Sequence, residues 1–125
     1  MLETIYVFIQ LIRNLLLTII IETAIALILK VRDKDDIKKI ICINCITNPI
    51  INYIMLVVVY IFSTGLTEQL FLFVFEMIVV YSEYRYYKKK LKYNKMNLLL
   101  LSTILNASSY FIGLAIIRLV SSIIN

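Results

Sequence analysis

The sequence predicts an all-α integral membrane protein, a four-helix antiparallel bundle with both termini on the outer side of the membrane. Three observations predict it. Hydrophobic residues make up 62% of the 125 residues, and the mean hydropathy is +0.91; a water-soluble domain of this size needs more polar residues to cover its surface. The apolar residues fall in four blocks, at about 4–29, 40–62, 69–87 and 96–124, each near the roughly 20 residues that cross about 30 Å of hydrocarbon as helix. Two glycines and one proline supply too little turn material for a transmembrane barrel. The length allows a single transmembrane domain, residues 1–125.

The first block opens with "MLETIYVFIQ". It lacks the basic start and small-residue cleavage site of a signal peptide and reads as a retained span. Within it Gln10, Asn14, Thr18 and Glu22 recur every fourth residue and share one helix face. Arg13 reads either as a side chain reaching for outer headgroups or as an attractor for an anionic solute at an outer vestibule. The link "KVRDKDDIKK" lacks the glycine and closing glutamate of a helix-loop-helix calcium site. It reads instead as a solvated turn in which Asp35 or Asp36 caps the second helix.

The second block carries Asn44, Asn48 and Asn52 on one face, interrupted by Pro49, which frees the carbonyl of Cys45. Cys42 and Cys45 form a CxxC pair with no second cysteine pair to receive a disulfide. They are expected to be small core residues, not a redox centre. "STGLTEQ" leads to the third block, where Gln69, Glu76 and Glu83 recur at seven. Glu83, two residues from Arg85, reads as an interfacial side chain that snorkels or pairs. Tyr84, Tyr86, Tyr87 and Tyr93 have the makings of an aromatic belt. After "KKKLKYNK", the fourth block lines Ser102, Asn106, Ser109 and Gly113 along one face; Arg118 reads as snorkelling to outer headgroups.

Eleven of the 13 basic residues lie in or beside the links at 30–39 and 85–95, and the middle link has none. The positive-inside bias places those two links in the cytoplasm of a multi-pass cell-membrane protein. The abundance of Ile, Asn, Lys and Tyr points to the inner membrane of a low-GC bacterium. The net charge of +5 belongs to headgroup contacts and gives no nucleic-acid signature. The absence of histidine removes the commonest general base and metal ligand.

Depth can be counted from the basic clusters at about 1.5 Å per helical residue. Glu22 then lies roughly 12 Å deep, Asn48 and Glu76 roughly 13–14 Å, and Asn106 roughly 16 Å. Each helix contributes one polar residue near the midplane. A charged side chain there is costly to insert, and asparagine or serine would join helices equally well. Glu22, Asn48, Glu76 and Asn106 are therefore the candidate substrate- or ion-binding residues, with Asn44, Asn52, Thr18 and Arg13 secondary. The expected function is binding and translocation of a small cation, proton-coupled solute or polar metabolite, with no cofactor. The expected assembly is a homo-oligomer or a subunit of a larger membrane complex. The alternatives are a non-transporting assembly or regulatory subunit, in which the stripes only join helices, and an intramembrane enzyme using two carboxyls.

Overall fold

The computed structural model describes residues 1–62 and 65–125; Ser63 and Thr64 of the middle link lie outside the described residues. The described chain forms four helices and no strand. They are α1 (Leu2–Ile28), α2 (Lys34–Phe62), α3 (Gly65–Lys90) and α4 (Leu98–Ile124). Over their most apolar 18 residues the mean hydropathy runs from 1.4 in α3 to 2.0 in α1. All four are long and apolar enough to cross a membrane.

α2 and α3 reach past their apolar blocks, α1 does so only at its start, and α4 begins two residues inside its block; local chemistry explains these ends. α1 ends in a Schellman motif: the Val31 amide donates to the Ala26 carbonyl at 2.9 Å and the Lys30 amide to Leu27 at 3.0 Å. Lys30 holds the left-handed position with φ 69°, a site where glycine is the usual occupant. The apolar contact that accompanies such a motif is present, since Ala26 and Val31 are both fully buried in one cluster. α2 starts six residues before Ile40. Its cap is Asp33, whose carboxylate accepts the Asp35 amide at 2.8 Å. The expectation that Asp35 or Asp36 caps this helix is thereby corrected. Asp36 is instead buried and accepts the Lys92 amide of the third link at 3.1 Å. α3 takes in residues 65–69 of the middle link, and α4 is capped by the Asn97 side chain on the Leu99 amide at 2.8 Å.

Packing runs around a ring. α1 lies against α2 and α4, and α3 against the same two, with no diagonal contact among the described residues. Paired side chains ascend α1 as they descend α2, so these two helices run antiparallel. The buried apolar core sits at one end, where Ala26, Val31, Ile40, Tyr87, Leu101 and Leu105 are fully enclosed. Tyr87 and Tyr93 are buried there, which removes them from the expected aromatic belt; the Tyr93 hydroxyl donates to the Leu29 carbonyl at 2.7 Å. Cys42 and Cys45 are free thiols on the exposed face of α2 and not core residues. Asn44 and Thr47 take the inward face, which turns both cysteines outward.

Candidate functional site

The four-residue spacing on α1 and α2 produces a ladder. Asn14 Nδ2 donates to Asn52 Oδ1 at 3.3 Å, Asn48 Nδ2 to Thr18 Oγ1 at 2.9 Å, and Asn44 Nδ2 to Glu22 Oε2 at 2.6 Å. Successive rungs are four residues apart on both helices, so each lies one turn from the next. Asn52 also donates to the Asn48 carbonyl and side-chain oxygens at 2.8 and 3.0 Å.

The lowest rung opens into a belt that joins all four helices. Glu22 Oε1 accepts the Ser109 hydroxyl of α4 at 3.1 Å, and the same hydroxyl lies 2.9 Å from the Asn106 carbonyl. Asn106 Nδ2 donates to Glu83 Oε2 of α3 at 2.7 Å. Glu83 closes the circuit back to α2 by accepting the Thr47 hydroxyl on Oε1 at 2.8 Å, and Tyr87 reaches its Oε2 at 3.4 Å. Glu22 and Glu83 are both fully buried, and every carboxyl oxygen of the pair has a donor. Such saturation is what permits a carboxyl group to sit where water is excluded.

A cavity of about 220 Å³ rises from this belt between the four helices. Asn44, Thr47, Glu83 and Asn106 lie at its belt end, and Asn48, Glu76 and Ser109 line its walls. A second chamber of about 260 Å³ continues toward the ends of α2 and α3 that flank the middle link, bordered by Gln10, Asn52, Glu68 and Glu76. Glu76 lines both chambers. It is half-buried and, among the described residues, accepts no hydrogen bond. Neither chamber has a lysine or arginine in its wall.

The four residues expected to share one layer thus occupy three situations. Glu22 and Asn106 meet through Ser109. Asn48 sits one turn away on the ladder with Thr18, and Glu76 stands on the cavity wall. Of the secondary residues, Asn44 joins the belt, Asn52 and Thr18 the ladder, and Arg13 is an exposed donor to Asn14 Oδ1 at 3.2 Å. Glu83 overturns its reading as an interfacial side chain, because it is enclosed and bonded to three helices' worth of donors. Its seven-residue spacing from Glu76 was the signal that it shares the inward face. Thr47, three residues after Asn44, and Glu68, eight before Glu76, carry weaker signals of the same kind.

Among the described residues no three of His, Cys, Asp and Glu gather as a metal-binding group. The arrangement offers a hydrogen-bonded carboxyl pair at its closed end and, farther out, carboxyl groups facing a cavity without countercharge. Searches of protein families, characterised proteins and solved structures return no match to this chain.

Proposed function

We propose that this chain is a multi-pass cell-membrane protein that binds a cation in its acid-lined cavity and carries it across the bilayer. The observation that supports this reading is the wall composition: Glu76 and Glu83 face the cavity, Glu68 stands at its outer reach, and no lysine or arginine offsets them. Carboxyl groups in a confined, poorly hydrated space attract either a proton or another cation, and exchange between the two couples their movements. In this reading Glu76 is the carrier group. Glu22, Asn44, Glu83 and Asn106 hold the helices around the closed end, and Asn48 with Thr18 keeps α1 and α2 in register. The helices form an up-down-up-down antiparallel bundle, with links 30–39 and 85–95 cytoplasmic and both termini outside. The cavity then opens to the outer side, and the enclosed core forms the cytoplasmic seal. A ring this narrow would work as a homo-oligomer or as part of a larger bacterial inner-membrane complex.

Flux across proteoliposomes carrying a pH gradient tests the proposal. Glu76→Gln should abolish proton-linked cation movement, and Glu22→Gln should reduce it. Undiminished flux in both variants would overturn it.

One observation favours a second reading, that of a non-transporting assembly subunit. Glu22 and Glu83 are saturated by donors from neighbouring helices, as helix-joining groups would be. On that reading Glu76→Gln is silent and a partner protein copurifies.

A further inference from the structure

Resting on the cation reading above, we infer that the cargo is a small organic ammonium ion, its charged head on Glu76 and its apolar body against Leu72, Met55 and Tyr110. All four residues line both chambers. Glu76 is the carboxyl group that faces both chambers and that the belt does not use; Glu68 borders the outer chamber alone.

A divalent metal ion requires several oxygen ligands at about 2.0–2.6 Å, so any two of them lie within about 5 Å of each other. Along α3, however, Glu68 and Glu76 are separated by about 12 Å of helix, and Glu76 and Glu83 by about 10 Å. Glu83 is moreover held by Thr47, Tyr87 and Asn106, and among the described residues no three of His, Cys, Asp and Glu gather as a metal-binding group. A bare sodium or potassium ion also needs replacements for its hydration shell, and the amide oxygens of the two outer rungs are already engaged, leaving Gln10 in the outer chamber and the Asn44 and Asn106 oxygens at the belt as the amide oxygens without a donor among the described residues. Asn52 Oδ1 accepts from Asn14, Asn14 Oδ1 accepts from Arg13, and Asn48 Oδ1 accepts from Asn52. Thr18 Oγ1 accepts from Asn48. The remaining wall near Glu76 is apolar, with Val79 and Leu114 beside the three residues named above.

An alkylammonium ion meets both conditions. Its head needs a single carboxylate and tolerates a few retained waters, while its carbon chain is content against leucine and methionine. Tyr110, at the junction of the chambers, adds an aromatic face to the wall against which the body lies. At about 30 Å³ per water molecule, the inner chamber of about 220 Å³ holds roughly seven waters, or a short carbon chain in their place.

Titration calorimetry on the detergent-purified full chain tests this, using n-alkylammonium ions from ethyl to hexyl, sodium, potassium and neutral n-butanol. The alkylammonium ions should bind, each added methylene tightening binding about three- to four-fold, while n-butanol should not. Glu76→Gln should weaken binding at least ten-fold. Glu76→Asp and Leu72→Ala keep the test alive if that variant does not fold: the first should weaken every member of the series, and the second should shrink the gain per methylene. Binding unaltered by both would overturn the inference. Sodium or potassium binding that depends on Glu76, without alkylammonium binding, would also overturn it and leave the cation reading standing. Absence of binding by any cation to the folded protein would overturn both.

Discussion

The two ends of this bundle are built from the same kinds of residue and do opposite things with them. At the end near links 30–39 and 91–97, acids are enclosed and bonded: Asp36, Glu22 and Glu83 all have donors, and aliphatic and tyrosine side chains fill the space between. Toward the middle link the helices enclose a cavity, and Glu76 faces it without a partner. A glutamate seven residues along one helix face has thus changed from a joining group to an available one. The lesson concerns neighbours, not residue type. Where adjacent helices present amides and hydroxyls the carboxyl group is consumed by structure, and where they present leucine and methionine it remains free.

The sharpest way to break this contrast is to make one substitution at both places. Glu83→Leu should destabilise the protein by about 2 kcal/mol, because it orphans the Tyr87 hydroxyl and one Asn106 amide hydrogen at about 1 kcal/mol each, while the Thr47 hydroxyl keeps the Ile43 carbonyl at 3.0 Å. Glu76→Leu should not destabilise the protein, because Glu76 accepts no hydrogen bond among the described residues and a carboxyl group at this depth is costly to insert, while it should abolish cation binding. Unfolding in mixed detergent, followed by circular dichroism, reads the first quantity; equal losses for the two variants would erase the distinction between the ends. A smaller effect of opposite sign is expected at the closed end. Lys30 sits at φ 69°, and replacing it by glycine should relieve about 1 kcal/mol of left-handed strain and raise Tm. The smallest concerns the exposed Asp35–Lys39 pair, 3.0 Å apart. Its hydrogen bond holds the Asp35 carboxyl below the usual aspartate range and the Lys39 ammonium above the usual lysine range. Asp35's contribution is therefore present above its unfolded pKa and lost as pH falls through the lower folded one. Lys39's contribution is present below its unfolded pKa and lost as pH rises through the higher folded one. Asp35→Asn should flatten both slopes in a Tm-versus-pH series, and only slightly, since exposed pairs contribute little.

Four long apolar helices were legible from the length of the apolar blocks, and most of their inward faces from spacing, though Gln69, expected on the face of Glu76 and Glu83, is exposed. The fourth-residue stripes of α1 and α2 became the rungs Asn14–Asn52, Thr18–Asn48 and Glu22–Asn44. Depth was legible only in part. Counting from Arg85 treats the basic cluster as the edge of the protein, but α3 continues to Lys90 and the third link folds over it, burying Tyr93. Glu83 is consequently interior despite its short distance from a charge. Pairing was not legible. Whether Glu22 meets Asn48 or Asn44 depends on a shift of one turn between α1 and α2, and single-helix periodicity is blind to that shift. The cysteines show the same limit, since their small size says nothing about which face they occupy.

The three contacts that tie the links together at the closed end share a property with evolutionary weight. Asp36 receives the Lys92 amide, Lys39 donates to the Lys90 carbonyl, and Tyr93 donates to the Leu29 carbonyl. In every case one participant is main chain, so its side chain is anonymous to the contact. In an alignment of relatives, Asp36, Lys39 and Tyr93 should hold their identities while positions 90 and 92 drift freely and position 29 varies only among apolar residues, because Leu29 packs against the core. The fastening would therefore survive extensive divergence of the loops it fastens.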